Sequence, residues 1–306
     1  MECTIEGYDR SHIGTLRELV SHASLRDEFR WLAAPGGLED HFTDPYSGPE
    51  LRRIARVDGA PVGFSFAFVL PSGPSAWAMV RIGILEAFRR RGLGSRLLAE
   101  SVAALEPAKT TRGLGELDLS AWTPNPAVEG FAARHGFRPV RTFWKMVRPR
   151  AAAGPPAPAW PAGIEVRTYD GSERALGEWN EAYNAAFAEH WHFVPAELEH
   201  SRAITRLAHF RSAGLVLAYR DGRCVGFCRN ALRGREGEVA LLGTVPEARG
   251  IGLGRALLRW SVAWLEAQGA EPVELGVDGE NEGALGLYRA EGFTIERTRA
   301  FWSRPA

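Results

Sequence analysis

Lysine is nearly absent from this 306-residue chain, where Lys109 and Lys145 are the two examples and both lie in the first half. Chemistry by a lysine nucleophile or a Schiff base is therefore excluded from the second half. Long apolar runs are missing too: no stretch of about 18 apolar residues occurs, so no membrane-spanning helix is predicted. Residues 1–9 carry acids and no apolar core, which is unlike a secretory signal peptide.

Cysteine is scarce, and the net charge is zero. Of the three cysteines, Cys224 and Cys228 lie four apart along a predicted strand, where they are badly placed to bridge, and the third is Cys3. A reduced, cytoplasmic protein is the simplest expectation. Because 37 basic side chains balance 37 acidic ones, a general nucleic-acid binder is disfavoured. We expect neither nucleic-acid nor membrane partners, and both a monomer and a homodimer remain open.

The chain contains one unit written twice, at a period of roughly 160 residues, which suits a duplicated domain. A hairpin with an Asp-Gly turn, Asp58-Gly59 or Asp221-Gly222, occurs in each copy and is followed by Val-Gly-Phe. The opening of each copy precedes a predicted helix, over about 14–32 and about 173–189. Each copy ends in an aromatic strand containing Phe-Trp.

The two copies are separated by a segment rich in proline and alanine. Residues 149–163 hold five prolines and no apolar period, which is typical of an extended linker. We therefore predict domains at 1–148 and 164–306, joined by this linker. The order of strands and helices predicts an α/β fold, with a mixed sheet of the α+β kind in each domain.

A glycine turn stands between an apolar strand and a helix in each copy. In the second copy it is R-x-x-G-x-G, Arg249 to Gly254, and in the first it is Arg89 to Gly94. N–H groups in the first turn of a helix are unpaired and lie at the positive end of its dipole, so phosphate can bind there. A dinucleotide fingerprint is excluded because position 255 is arginine, and a P-loop is excluded because no G-K-[ST] follows.

A second motif follows the turn in the second copy. Asn281 to Phe293 reads N-x-x-A-x-x-L-Y-x-x-x-G-F. The two motifs together resemble the acetyl-CoA site of the GNAT N-acetyltransferases, and the duplicated length resembles the tandem, mycothiol synthase-like members. This resemblance implies that acetyl-CoA is the acyl donor and that the glycine turn holds its pyrophosphate. It also implies that the strand before the turn splays from its neighbour to admit the pantetheine arm.

The resemblance implies a set of cofactor-binding residues around the two turns. In the second copy they are Leu242, Gly243, Thr244, Val245, Arg249, Gly250, Ile251, Gly252, Leu253, Gly254, Arg255 and Asn281, and in the first copy Arg89, Arg90, Gly92 and Gly94. A role for Asn281 as a helix N-cap explains that residue almost as well.

Acetyl transfer to an amine needs a base for the ammonium proton, a donor for the oxyanion and an acid for the departing thiolate. The resemblance places Tyr288 as the acid and Glu238 as the base, with a main-chain N–H near Leu242–Thr244 as the oxyanion donor. The alternatives are a core tyrosine and a solvated strand end beside Glu236. Ungapped alignment puts Ala132 and Ala78 at these two places in the first copy, so we expect that copy to be non-catalytic.

The acceptor side is predicted from the stretch after the helix at 173–189. Glu189, His190, Trp191 and His192 resemble the acceptor-side wall of GNAT proteins and suit a polar, cationic acceptor. His190-x-His192 lacks a carboxylate or cysteine framework, so no metal is expected. The sequence predicts direct acetyl transfer from acetyl-CoA to a primary amine of a small polar molecule. Mycothiol synthase, an antibiotic-modifying acetyltransferase and a non-catalytic acyl-CoA sensor remain open.

Overall fold

The computed structural model describes residues 2–72, 75–151, 154–207 and 209–306, so Ala152 and Ala153 of the predicted linker lie outside the described residues. The elements of the first sequence copy are β1 (Cys3–Gly7), α1 (Ile13–Ser21), α2 (Ala23–Arg26), α3 (Arg30–Ala33), α4 (Gly37–Thr43), β2 (Arg52–Val57), β3 (Ala60–Ser72), β4 (Ser75–Ile84), α5 (Leu93–Thr111), β5 (Leu114–Thr123), α6 (Pro126–Arg134) and β6 (Arg138–Arg148). Those of the second copy are β7 (Glu165–Thr168), α7 (Glu173–Phe187), α8 (Leu198–Thr205), β8 (Leu215–Arg220), β9 (Arg223–Arg233), β10 (Glu236–Thr244), α9 (Leu253–Ala267), β11 (Val273–Asp278), α10 (Glu282–Ala290) and β12 (Thr294–Pro305).

The chain forms two compact units. The first unit contains Met1–Arg141 and Arg299–Ala306, and the second contains Thr142–Thr298. The sheet of the first unit runs β1-β2-β3-β4-β5 and is completed by β12, and that of the second runs β6-β11-β10-β9-β8-β7. Both sheets mix parallel and antiparallel pairs, as the predicted fold class requires.

The compact units exchange their last strands relative to the sequence repeat. Residues 143–148 of β6 come from the first copy, yet they pair antiparallel with β11 of the second unit. In return, the N–H of Ala306 donates to Gly115 O at 3.1 Å, which places the end of β12 in the first unit. The buried side chains Met146 and Trp302 secure the two strands in the cores of their adopted units. The predicted boundaries at 1–148 and 164–306 describe the sequence repeat, and the compact units follow a different division.

Both predicted hairpins form, and their turns have the backbone that Asp-Gly favours. Asp58 and Gly59 have φ of 47° and 81°, and Asp221 and Gly222 have 50° and 78°. Positive φ at both central residues matches the right-handed twist of the flanking strands. The turns therefore fix the register of β2 on β3 and of β8 on β9.

In the second unit, helices cover both faces of the sheet. Side chains at Gly226 and Gly237 would collide with α9, so these glycines mark the face on which α9 lies close. On the other face, Trp179 of α7 packs against Phe227 of β9 with ring centroids 6.5 Å apart. Two layers of helix around one sheet give the second unit a single core.

Of the two helices predicted after the first strand of each copy, one forms as predicted and the other is broken. Helix α7 forms over Glu173–Phe187, close to its predicted span. The stretch predicted as one helix over 14–32 instead breaks at His22, whose side chain accepts from Ser24 N and starts the short α2. A side chain that caps a new helix competes with continuing the old one. Within the described residues, no helix is both long and apolar enough to cross a membrane.

Candidate functional site

The central strands of the second unit part at their carboxyl ends. The parallel ladder of β10 on β11 has three pairs and ends at Val239–Leu275, while β10 continues along β9 to Thr244. Ala240 is a bulge in the β10–β9 ladder, which bends the strand at this point. A Cβ added at Gly276 would meet no described atom within 4 Å. The described residues thus leave a gap between the strands, floored by glycine.

The glycine turn closes one side of this gap. After β10, the N–H of Val245 bonds to Val225 O at 3.0 Å, and a short 3₁₀ turn leads into the glycines. Gly250 and Gly252 have φ of 77° and 89°, which residues with a Cβ rarely adopt. Among the described residues, the N–H groups of 250–254 have no hydrogen-bond acceptor. Five unpaired donors at the positive end of α9 form a site suited to phosphate.

The two arginines of the turn make different contacts. Arg249 donates to Glu189 Oε2 at 3.0 Å and to Ala186 O at 3.1 Å, at the end of α7. Arg255 lies in the first turn of α9 and pairs with Glu291 at 3.2 Å. Ile251, at the tip of the turn, is 40% exposed. The predicted cofactor residues 242–245 and 249–255 therefore lie along one edge of the gap, but the guanidinium of Arg249 is bonded elsewhere.

Tyr288 lies in the core on the face covered by α9. It is 7% exposed and packs with Leu285 and Phe293. Its hydroxyl makes no hydrogen bond to any part of the chain that the structure describes. Burial raises the pKa of Tyr288 well above its usual value, and the nearby Cys228 thiol adds to the shift. The phenol is therefore protonated at neutral pH, as a general acid must be.

Asn281 starts the helix that carries Tyr288. Its Oδ1 accepts from Ala284 N at 3.0 Å, so it is the N-cap of α10. The first copy repeats this cap, where Asn125 Oδ1 accepts from Val128 N at 3.3 Å. The capping contact accounts for both asparagines, and contact of Asn281 with a cofactor stays a prediction.

Glu238 faces the opposite side of the sheet from Tyr288. Alternation along β10 and β11 directs Val239 and Leu275 into the core with α9, and directs Glu238 and its ladder partner Glu274 to the other face. Glu274 is buried, and Lys145 of β6 pairs with it at 2.8 Å. The acid and base candidates therefore lie on opposite faces of the sheet, one on each side of the gap.

Lys145 connects two carboxylates on that face. Besides Glu274, it pairs with Glu296 at 2.7 Å. Since Lys145 lies opposite Gly276 in the β6–β11 ladder, a cation stands at the rim of the gap. Sequence reasoning missed Glu274, Gly276 and Lys145. Lys145 comes from the first copy, so no motif of the second copy could have indicated it.

The predicted acceptor residues follow α7 on the same face as Glu238. Trp191 lies 6.2 Å from Phe143, which pairs in register with Asp278 beyond Gly276. His190 packs on Phe187 at 4.5 Å, and Trp191 lies 4.0 Å from the ring of His192. The structure thus places these aromatic rings beside the gap.

The first unit keeps the glycine turn but has different residues at the gap. Arg90 and Gly92 have φ of 62° and 79°, so the backbone repeats the turn even though arginine stands at the first position. A Cβ at Gly94 would lie 3.2 Å from the Phe131 ring, whereas Gly254 has 3.7 Å to Leu287. The first turn therefore has less room.

A buried network bridges the gap in the first unit. The β4–β5 ladder ends at Val80–Leu119. The next residue of each strand is Arg81 or Ser120, and Arg81 donates a hydrogen bond to Ser120 Oγ at 2.8 Å, which joins the strands. Glu28 pairs with Arg81 and, at 2.7 Å, with Arg299. Burial lowers the pKa of Arg81 to about 10, with Glu28 opposing that shift, so the guanidinium keeps its charge. The equivalents of Arg81 and Ser120 in the second unit are Leu241 and Gly276, which leave the gap unbridged.

The structure corrects one sequence alignment. Ungapped alignment placed Ala78 at the position of Glu238. Because Ala240 is an extra residue in β10, the ladders instead match Glu238 to Met79, whose partner on β5 is Asp118. Ala132, at the place of Tyr288, is fully buried. The first unit therefore lacks both proton-transfer candidates under either alignment.

Comparisons with known proteins agree with the duplicated architecture. The acetyltransferase (GNAT) family model matches residues 16–137 and 176–293. The chain is 36% identical over 257 residues to a mycothiol acetyltransferase of Thermobispora bispora, covering 81% of this chain and 82% of that protein. It is 30% identical over 312 residues to a mycothiol acetyltransferase of Beutenbergia cavernae, covering 98% and 100%.

Solved structures show the same fold. A GCN5-related N-acetyltransferase from Sphaerobacter thermophilus superposes with a TM-score of 0.78 at 21% identity, covering 99% of this chain and 95% of that one. A tandem GNAT protein from the clavulanic acid biosynthesis pathway gives 0.75 at 20% identity, covering 99% and 98%.

Proposed function

The chain belongs to the acetyltransferase (GNAT) family, and we propose that its second unit transfers acetyl from acetyl-CoA to a primary amine of a small polar molecule. GNAT acetyltransferases use acetyl-CoA as the acyl donor, so the donor follows from the family. The observation that carries the proposal is the gap between β10 and β11. It has the phosphate-binding turn at its edge, Tyr288 on one face and Glu238 on the other.

The donor is held by main-chain groups. The unpaired N–H groups of 250–254 receive the pyrophosphate, where the glycines let it approach the backbone closely. The pantetheine arm enters the gap beside Leu242–Thr244, over the open floor at Gly276. Both substrates are then in contact, so direct transfer needs no covalent enzyme intermediate.

Proton transfers occur from opposite faces of the sheet. Glu238, directly or through water, takes the proton of the acceptor ammonium, and the amine attacks the thioester carbon. A main-chain N–H within Leu242–Thr244 stabilises the oxyanion of the tetrahedral intermediate. The carbon–sulfur bond breaks, Tyr288 protonates the leaving thiolate, and the surplus proton on the amide nitrogen passes to water or back to the Tyr288 phenolate. The raised pKa of Tyr288 keeps that proton available at neutral pH.

The first unit has an architectural role in this proposal. It lacks counterparts of Glu238 and Tyr288, and its gap is bridged by Arg81, Ser120 and Glu28. A buried ion network of this kind is costly to break, because removing one partner leaves an uncompensated charge. We therefore assign one catalytic centre to each chain.

The acceptor is proposed from the relatives. Two mycothiol acetyltransferases, which match over most of their length, favour the free amine of a mycothiol precursor over an antibiotic amine. A polar, cationic acceptor suits the face that carries Glu238, Glu274 and Trp191. The proposed cellular site is the cytoplasm, where such thiols are kept reduced.

A panel assay tests the function. Calorimetric titration with acetyl-CoA is combined with a CoA-thiol release assay over deacetylated mycothiol, aminoglycosides and simple amines. We expect turnover with deacetylated mycothiol at a kcat/KM at least about a hundredfold above the other amines, within the range that polar recognition achieves. Preference for an aminoglycoside would move the acceptor class, and binding without turnover on any amine would favour a non-catalytic acyl-CoA sensor.

A further inference from the structure

Arg249 begins the R-x-x-G-x-G motif, yet its guanidinium is bonded to the end of a helix. It donates to the Ala186 carbonyl at 3.1 Å and pairs with Glu189 at 3.0 Å. Ala186 lies in the last turn of α7, where main-chain carbonyls lack intrahelical partners. A cation at that end also interacts favourably with the helix dipole. Arg249 therefore caps α7 from the glycine turn.

The first unit makes a related contact between its glycine turn and a helical segment. Arg89, at the matching position, donates to Ser24 O at 3.0 Å and to Ile84 O at 3.0 Å. Ser24 lies in α2, and its hydroxyl also accepts from Glu86 N at 3.3 Å. The two units differ at both proton-transfer positions but keep this tie, so the tie belongs to the glycine turn itself.

The segment that Arg249 holds is also fixed at its far end. Asn184 of α7 accepts from Ala196 N at 2.7 Å and donates to Ala196 O at 3.0 Å. Residues 188–195, which include His190 and Trp191, are therefore bounded by Asn184 at one end and Arg249 at the other. Asn184 belongs to α7, the helix that precedes the segment, whereas Arg249 belongs to the glycine turn.

We propose that Arg249 is a positioning residue that couples the glycine turn to the acceptor-side segment 188–195, and that its guanidinium is not a phosphate ligand. The two contacts of Arg249 hold the end of α7, and with it the segment carrying Trp191, whether or not phosphate is bound on the N–H groups of 250–254. The identities of the two substrates rest on the proposed function. Because the Arg249 and Glu189 side chains are 45% and 78% exposed, the ion pair adds little to global stability, and its effect is local.

The test compares donors with and without phosphate. With Arg249→Ala, kcat/KM falls about five- to tenfold, the size of one lost hydrogen bond of ordinary strength at an exposed site, by equal factors for acetyl-CoA and S-acetylpantetheine. A phosphate ligand would show its loss with acetyl-CoA alone. Arg249→Lys, which can keep one of the two contacts, restores part of the activity. A loss confined to acetyl-CoA overturns the proposal.

Amide hydrogen exchange gives a readout that does not need turnover. In Arg249→Ala, exchange over 188–193 speeds up several-fold while CoA affinity changes by less than about threefold. Arg255→Ala is the matched control: that arginine is also beside the turn but pairs with Glu291 rather than with the end of α7, so exchange over 188–193 is unchanged. Unaltered exchange in Arg249→Ala refutes the coupling. If the wild-type chain transfers acetyl to no amine, the proposed function has failed, and the exchange data still decide the role of Arg249.

Discussion

Replacing Tyr288 by phenylalanine distinguishes a catalytic acid from a tyrosine that only packs in the core. A catalytic acid predicts a fall in kcat with stability retained, and a core tyrosine predicts unchanged kcat. The ring packs with Phe293 and stays buried in the variant, so no cavity forms. The hydroxyl has no hydrogen-bond partner among the described residues, so its removal breaks no hydrogen bond within the described chain. The free energy of unfolding should therefore change by less than about 1 kcal/mol.

Turnover, by contrast, should fall. A general acid contributes roughly 10²–10⁴ in rate, or about 3–5 kcal/mol of barrier, and water can replace part of it. We expect kcat of Tyr288→Phe to fall by at least about tenfold in a thiol-release assay. Because burial raises the pKa of Tyr288, the wild-type kcat should show no alkaline loss from this group below about pH 10. Above that pH the unfolded chain ionises this phenol first, so stability declines as the pH rises.

Tyr219→Phe is the matched control in the same unit. Its hydroxyl donates to Glu178 at 2.8 Å in a partly buried position, so phenylalanine removes a hydrogen bond to a charged group. Urea unfolding should show a loss of about 1.5–3 kcal/mol, with kcat unchanged. Unchanged kcat in Tyr288→Phe would refute the acid assignment, and a stability loss as large as that of Tyr219→Phe would attribute a fall in kcat to a disturbed core instead.

Three further predictions concern the gap, the base and a buried histidine. Gly276→Val places a side chain in the open floor of the gap, so calorimetry should show acetyl-CoA affinity weakened tenfold or more while thermal stability is retained. The control Gly115→Val, in a strand of the first unit, should change neither the affinity nor the thermal stability. Glu238→Gln should lower kcat about a hundredfold and give a rate that recovers as pH rises and the amine loses its own proton, whereas a similar loss in Glu236→Gln would point to a general charge effect. Burial lowers the pKa of His41 from 6.5 to about 3, so the wild type should lose stability as the pH falls through that window, by roughly 5 kcal/mol at most. His41→Gln keeps an acceptor for the Tyr8 hydroxyl and cannot titrate. If urea unfolding shows that this variant loses stability just as steeply at acid pH, protonation of His41 is not the cause.

Local features of the fold could be predicted from sequence because their causes are local. An Asp-Gly pair fixes the hairpin turns, and alternating glycines fix the turn before α9. The strand exchange could not be predicted in this way. Both final strands carry the same Phe-Trp pattern, at Phe143 and Phe301, so each sheet could accept either strand on side-chain grounds.

Those parts of the candidate site that a sequence motif marks were predictable, and those that depend on the pairing register of the strands were not. The motif indicated Tyr288, and its burial was foreseen as one alternative. The bulge at Ala240 depends on how β10 pairs with β9, and it shifted the match of Glu238 from Ala78 to Met79. The direction of the Arg249 side chain depends on the position of α7, which lies about 60 residues earlier in the chain.

The exchanged strands determine the order in which the units can be completed during synthesis. The ribosome makes residues 299–306 only after every residue of the second unit, yet these residues fill the edge of the first unit beside β5. Until they emerge, the nascent first unit exposes an unpaired strand, with its N–H and C=O groups open to other chains. The second unit, by contrast, receives its borrowed strand, 143–148, before the rest of its sheet has been translated. The last residues of the chain therefore complete the unit that was made first, and a chaperone that binds the nascent chain would find its binding surface on that unit.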